Sequence, residues 1–187
     1  DPVLKVKRLM PRTHPIITGD PPFRPMPGPD YGLIRSAFIW DYMEKAGVPD
    51  IRGVACYQNR FFTAVSIKQR YPGHAKQAGL IAAQCHTGAY LGRYAVVVDD
   101  DIDVWDINDI LWALCTRVDP VQDIDFIRRC WSGPLDPIVP RDKKGFSSRA
   151  IVDACRPYEW LKDFPHVSGA SPDLKKAVLD KFGKYLA

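Results

Sequence analysis

The part of the sequence with the most chemical potential is an aspartate run that follows a short apolar stretch. Residues 96–98 are three valines, and Asp99, Asp100, Asp101 and Asp103 come directly after them. Carboxylates this close together could bind a metal ion, share a proton as an acid–base pair, or cap the helix that the following residues predict. The spacing of the residues discriminates among these three kinds of site.

A calcium loop of the helix–loop–helix kind needs oxygen ligands at its positions 1, 3 and 5, glycine at position 6 and glutamate at position 12. If Asp99 is position 1, Val104 and Ile110 occupy positions 6 and 12. If Asp101 is position 1, Trp105 occupies position 5. This pattern therefore fails in both registers. The four histidines also lack metal-ligand spacing: His14, His74, His86 and His166. We assign no metal ligand in the chain.

The acid–base alternative is weaker than a structural role, because adjacent residues of a strand point to opposite faces. Asp106 and Asp109 resemble a capping box, in which one carboxylate accepts from free backbone donors and the other reaches back. This capping box does not involve residues 99–101, so these three aspartates need cationic partners elsewhere in the fold. Arg117, one helix away, is a candidate. We interpret the aspartates as structural and assign no catalytic residue among them.

The elements that position this run predict a mixed α/β (α+β) fold with a split β-α-β sheet and helices on one face. Residues 1–29 read as an extended strand, at 3–9, followed by a long Pro-rich linker. Residues 30–187 read as one α/β domain. Its predicted elements are a helix at 30–47, a hairpin at 51–69, a helix at 72–92, a buried strand at 94–99, a strand at 124–130, a loop at 132–148 and a C-terminal helix from Ser171. The first helix has an apolar stripe formed by Leu33, Ile34, Phe38, Ile39 and Tyr42. The narrow stripe of the last helix must dock on its own domain or on a partner chain.

Composition excludes several classes of protein. The net charge is +4 over 187 residues, with Lys and Arg interspersed with aspartates, so we predict no nucleic-acid partner. No apolar run approaches the length of a membrane span, and no Gly-rich phosphate loop is present. The five cysteines form no Cys-x-x-Cys pair, which is typical of reduced thiols in a cytoplasmic protein.

Three segments together resemble one known family. The run "VVVDDDIDVWDINDILWALCTRVDPVQD" is similar to the signature near the C-terminus of the UbiD-like decarboxylases, which use prenylated FMN. The opening "VLKVKRLMPRTHPIITGDPP" resembles their strand and "ITHR-x-DPI" segment, and "SGASPDLKKAVLDKFGKYLA" resembles their C-terminal helix. The resemblance covers nearly the whole chain. It implies a C-terminal domain that mediates self-association, as a dimer or higher homo-oligomer.

The resemblance also implies where the cofactor and the substrate lie. Prenylated FMN, with a divalent metal and optionally K⁺, would be bound mainly by an N-terminal domain that this chain lacks, together with the family's catalytic arginine and glutamates. Arg93 stands where the family has a lysine that reaches the cofactor phosphate. Leu135, in "GPLDP", and Ile17 match the hydrophobic wall of the substrate pocket. The substrate would be an aromatic, heteroaromatic or α,β-unsaturated carboxylic acid.

The chain starts inside an alternating segment and without methionine, so we expect it to be the C-terminal piece of a longer enzyme. It would be inactive alone and would supply oligomer contacts and one wall of the active site. The alternative is a stand-alone, non-catalytic association module with the same fold. A third class, an RNA-binding domain, lacks the aromatic signature and the basic surface.

Overall fold

The computed structural model describes residues 3, 5–16, 32–143 and 145–185. The helices are α1 (Leu33–Lys45), α2 (His74–Gln84), α3 (His86–Ala89), α4 (Ile107–Arg117) and α5 (Pro172–Phe182). The strands are β1 (Ile51–Tyr57), β2 (Phe62–Ile67), β3 (Tyr94–Asp99), β4 (Ile124–Trp131) and β5 (Phe146–Ala154). None of the described helices has the length and apolar character needed to cross a membrane.

The strands form one mixed sheet in the order β1-β2-β3-β5-β4. The three central strands, β2, β3 and β5, are parallel, and each edge strand pairs antiparallel with its neighbour. The predicted hairpin is confirmed as β1 and β2, and the mixed α/β class is confirmed with it. β3 lies at the centre, and its three valines are buried.

Helices cover both faces of this sheet. Val97 of β3 packs in the core with residues of α1 and α2, whereas Val96 and Val98 pack with Ile110 and Ala113 of α4. The prediction of helices on one face therefore holds for α1 and α2 and needs correction for α4. The physical reason is the continuous apolar run of β3, which presents side chains to both faces and requires cover on each.

Two strand predictions also need correction. Described residues 3 and 5–9 form no strand, and their side chains are exposed. An alternating segment forms a strand only when another strand pairs with its backbone, and the described sheet consists of β1 to β5 without this segment. Conversely, β5 occupies residues 146–154, where we predicted the end of a loop and then irregular chain. The prolines before it obscured the short apolar run "AIV", which fills a central position of the sheet.

Helix α1 forms where predicted, but only part of its predicted apolar stripe is buried. Ile39 is buried as predicted, whereas Leu33, Ile34 and Phe38 are between 53% and 74% exposed, and the polar Ser36 is buried instead. The Ser36 hydroxyl donates to the carbonyl oxygen of Gly32 and accepts from the backbone N–H of Cys56, which ties α1 to β1. At Gly32 a Cβ would lie 2.3 Å from the Cys56 carbonyl oxygen, so this close approach needs glycine. Asp30, the first residue of the predicted helix, lies outside the described residues.

The C-terminal helix is confirmed as α5, with the Ser171 hydroxyl accepting from the backbone N–H of Leu174 at 3.2 Å. Its apolar stripe is not covered in this structure, and its members are between 41% and 58% exposed: Leu174, Val178, Leu179 and Phe182. The sequence left open whether this stripe docks on its own domain or on a partner chain. The described part of its own domain does not cover it.

Candidate functional site

The residues singled out from the sequence lie at opposite ends of the sheet. Arg93 directly precedes β3 and Asp99 ends it, with the six residues of the strand spanning the distance between them. At a rise of about 3.3 Å per residue, the two ends are about 20 Å apart. The aspartate run and Arg93 therefore belong to different sites.

Asp99 is the centre of a buried ion cluster at the end of β3. It is 2% exposed, and Oδ2 accepts from Arg117 Nη1 at 3.2 Å and from Arg156 Nε at 2.9 Å. The Arg156 backbone N–H and the Gln69 amide donate to the same carboxylate at 2.7 Å each. The predicted partner Arg117 is confirmed, whereas Arg156 and Gln69 could not be identified from the sequence. Four donors on one carboxylate explain why a charge is tolerated here.

Neighbouring aspartates stabilise the turn into α4. Arg117 also forms a forked pair with Asp101, at 3.0 and 2.7 Å, and these hydrogen bonds lower the pKa of Asp101. Asp106 accepts from the backbone N–H of Asn108, and Asp109 accepts from that of Asp103. The cap by Asp106 is confirmed, whereas Asp109 reaches back to the backbone N–H of Asp103 and not to that of the N-cap residue. Among the described residues, no group of three or more His, Cys, Asp or Glu side chains could hold a metal ion.

A pH dependence of stability arises next to this cluster, at Asp153 of β5. Burial raises its pKa to about 6, and the nearby charges of Asp123 and Asp99 add to the effect, against hydrogen bonds from the backbone N–H and the side chain of Cys155. The unfolded pKa is near the ordinary value of about 3.9, so folding disfavours the charged form, and stability falls as pH rises from about 4 through about 6.

Asp153→Asn is accordingly expected to raise the free energy of unfolding by about 1–2 kcal/mol at pH 7.5. The gain should shrink to less than half at pH 4, as measured by urea unfolding at both pH values. Asp125→Asn is the control, because Asp125 forms only a half-exposed ion pair with Lys76. An equal gain at both pH values, or a loss at pH 7.5, would contradict this explanation.

At the other end of the sheet, Arg93 pairs with a buried carboxylate. Arg93 Nη2 lies 2.5 Å from Oδ1 of Asp136, which is fully buried, and the guanidinium lies 5.1 Å from the centre of the Phe61 ring. The Ser132 hydroxyl and the Ile138 backbone N–H also donate to Asp136, at 3.1 and 3.2 Å. Burial acts to raise the pKa of Asp136, but Arg93 and the N–H of Ile138 outweigh it, and the pKa is lowered.

Leu135 directly precedes this carboxylate and is 75% exposed. The structure thus brings the loop of Leu135 to Arg93, although the two residues are 42 positions apart in the sequence (135 minus 93). Ile17, the third residue of the predicted site, lies outside the described residues. The roles assigned to these three residues from the sequence stay predictions.

Arg149, the fourth residue of β5, was missed from the sequence. It is 1% exposed, and Nε donates to the Ala83 carbonyl oxygen at 3.0 Å. Nη2 donates to the carbonyl oxygens of Ala89 and of Trp131, the latter at 2.6 Å, and burial lowers the pKa of the guanidinium. Nη1 is buried without a hydrogen-bond partner. The sequence does show an arginine directly before an apolar run. A cation at such a position is expected to be buried and to need several hydrogen-bond acceptors.

The end of the sheet at which Arg93 lies also has an open surface cavity of about 480 Å³ beside Trp131. The His86 and Trp131 rings stack at 5.5 Å, and the Arg60 guanidinium lies 4.8 Å from the centre of the Tyr90 ring. Arg60 and Arg93 bring positive charge to this end, and cationic side chains of this kind suit an anion such as a phosphate group.

A scan against protein families matches residues 31–154 to the model described as the 3-octaprenyl-4-hydroxybenzoate carboxy-lyase C-terminal domain. A phenolic acid decarboxylase of Sedimentibacter hydroxybenzoicus is 30% identical over 82% of this chain and 32% of its own length. The phenolic acid decarboxylase of Bacillus subtilis is 30% identical over 83% of this chain and 33% of its own length. The chain spans about a third of the length of the curated relatives it matches, between 25% and 38% for five of them.

Solved structures give the same assignment of fold. The UbiD-class enzyme HmfF from Pelotomaculum thermopropionicum, in complex with FMN, superimposes with a TM-score of 0.69 at 26% identity. The match covers 81% of this chain and 33% of that protein. The resemblance to the family is therefore confirmed, and the family match includes the aspartate run, whereas the opening segment and the final helix lie outside the matched residues.

Proposed function

This chain belongs to the UbiD family of carboxy-lyases, and we propose that it is the C-terminal domain of a reversible, non-oxidative decarboxylase. The observation that carries the proposal is the family match over residues 31–154, on a fold shared with an FMN-bound UbiD-class enzyme. The substrate would be an aromatic, heteroaromatic or α,β-unsaturated carboxylic acid. The catalytic acid–base groups would lie in the part of the enzyme that corresponds to the other two thirds of the relatives' length.

The proposed cofactor is prenylated FMN, held mainly by that other part of the enzyme together with a divalent metal and optionally K⁺. When bound, it would supply the electron sink for loss of CO₂. The contribution of this chain would be a cationic contact from Arg93 to the cofactor phosphate. The support is geometric: the Arg93 side chain is 22% exposed, and its described ion pair uses Nη2.

Leu135 would form a wall of the substrate pocket. An apolar side chain that is 75% exposed on a loop held by a buried carboxylate is suited to exclude water from a planar substrate. Ile17 is proposed for the same wall from the sequence alone. Both residues would bind or orient the substrate, and neither has a group that could transfer a proton.

We further propose that the chain takes part in a homo-oligomer. Two helices carry exposed apolar faces: Phe38 of α1 is 53% exposed and Phe182 of α5 is 45% exposed. Faces of this kind mark contacts with other protein surfaces. The same observation would suit a stand-alone association module, and cofactor binding by the complete enzyme distinguishes the two functions.

Arg93→Gln is expected to weaken FMN binding by the complete enzyme by about tenfold or more, because a charge-assisted hydrogen bond to phosphate is lost. Titration with FMN, followed by flavin fluorescence, measures the dissociation constant. Arg52→Gln serves as the control, since Arg52 lies on an exposed face at the opposite end of the sheet. An unchanged dissociation constant in a folded Arg93→Gln variant would refute the phosphate contact.

A further inference from the structure

Asp136 has no role in the function proposed so far, although it is the most closely held side chain of its loop. Its Oδ1 accepts from Arg93 and from the Ile138 backbone N–H, and its Oδ2 accepts from Ser132. Its own backbone N–H donates to the Gly133 carbonyl oxygen at 3.2 Å. The loop of residues 132–139 is therefore folded around one carboxylate, whose negative charge is fully buried.

We propose that Asp136 is a positioning residue that orients Arg93 toward the cofactor phosphate and couples this contact to the loop that carries Leu135. The inference rests on the proposed function and extends it, because it connects the cofactor contact and the substrate wall through one buried side chain. Neither the family match nor the aspartate run assigns a role to Asp136.

The geometry allows Asp136 and a phosphate to hold Arg93 at the same time. A guanidinium has five N–H donors in a rigid fork, and the contact with Asp136 is made by Nη2. Phe61 lies against the guanidinium, which restricts its rotation further. An anion can approach the remaining edge without displacing the carboxylate. Arg93 would then bridge the phosphate and the loop.

A carboxylate beside an arginine can act in two ways, and they have opposite consequences. If Asp136 orients Arg93, removing its charge frees the side chain and weakens the binding of an anion, since the ordering of Arg93 must then occur on binding. If Asp136 only neutralises Arg93, removing its charge strengthens the attraction for the anion. The three additional contacts that fix Asp136, from Ser132, Ile138 and Gly133, favour orientation.

The same hydrogen bonds of Asp136 connect Arg93 to the backbone at Leu135. Leu135 lies between Gly133 and Asp136 within the folded loop, and Arg149 holds the carbonyl oxygen of Trp131 at the base of that loop. An anion that restrains Arg93 therefore restrains Asp136 and, through it, the backbone at Leu135. We expect cofactor binding to reduce the opening of this loop in the wild-type enzyme.

The test uses the complete enzyme with FMN as the probe and two readouts: the FMN dissociation constant and the hydrogen exchange of the amides of residues 132–139. We expect FMN to slow this exchange several-fold in the wild type. Asp136→Asn should weaken FMN binding about three- to tenfold and remove the FMN-induced protection of the loop. Ser132→Ala, which leaves every charge in place, should change both readouts in the same direction but by less.

Tighter FMN binding by Asp136→Asn, or loop protection that is retained in both variants, would overturn the inference. The phosphate contact of Arg93, on which the inference rests, fails if Arg93→Gln leaves FMN binding unchanged, whereas the assignment as a decarboxylase domain fails only if the complete, cofactor-loaded enzyme releases no CO₂. A double-mutant cycle joins the two tests: Asp136→Asn should add little to the effect of Arg93→Gln, because both changes remove the same oriented contact. Full additivity would show that Asp136 acts only on the stability of the fold.

Discussion

Asp99→Asn is expected to lower the free energy of unfolding of this chain by about 3 kcal/mol, the largest effect of any single replacement in the aspartate run. The substitution preserves the shape of the side chain but removes the carboxylate that faces Arg117 and Arg156. The Arg117 side chain is 1% exposed, so its charge would be left with Asp101, which is 40% exposed and a poorer substitute. Urea unfolding measures the loss.

Asp100→Asn is the matched control, because Asp100 is adjacent in sequence but its side chain is exposed. It should change the free energy of unfolding by less than about 0.5 kcal/mol. Asp99→Asn should leave the FMN affinity of the folded complete enzyme unchanged, since Asp99 lies about 20 Å from Arg93. Unaltered stability combined with lost turnover would instead make the aspartates part of the catalytic machinery.

Arg149→Leu is expected to destabilise the chain by about 3–4 kcal/mol. The guanidinium satisfies three carbonyl oxygens, of Ala83, Ala89 and Trp131, that belong to three different segments. Leucine gains apolar burial but leaves these acceptors without a donor, at a cost of about 1–3 kcal/mol each. Arg149→Lys should recover only part of the loss, because one ammonium group cannot reproduce the geometry of the fork.

Thermal and urea unfolding of both variants measure this effect, with Arg128→Leu as the control. Arg128 is exposed on the edge strand β4, and its replacement should cost less than about 0.5 kcal/mol. A change below about 1 kcal/mol for Arg149→Leu would mean that water satisfies the carbonyl oxygens, so that Arg149 does not hold the base of the Asp136 loop.

Local patterns were sufficient to predict a large part of the fold. The apolar run of β3 and the β1–β2 hairpin could be predicted because each pattern involves only residues that are adjacent in the sequence. The same holds for Ser171 at the start of α5. Arg117 could be predicted as a partner of the aspartates because one helix of known length returns it to the end of the strand.

Features that depend on distant contacts could not be predicted in this way. The central place of β5 follows from pairing with β3 and β4, which no local pattern encodes. The inner side of α1 carries Ser36 beside Ile39 and Met43, and Ser36 accepts a hydrogen bond from the distant Cys56 backbone N–H, which no local pattern indicates. The pair of Arg93 and Asp136 joins two loops, and its existence depends on the sheet that aligns them.

The central claim is tested most directly by CO₂ release from the complete enzyme loaded with prenylated FMN. The substrates would be a panel of aromatic, heteroaromatic and α,β-unsaturated carboxylic acids, with cofactor-free enzyme as the blank. We expect cofactor-dependent release from at least one class of acid, and none from the 187-residue chain alone. Complete enzyme that binds the cofactor but releases no CO₂ from any of these acids would contradict the assignment as a decarboxylase domain.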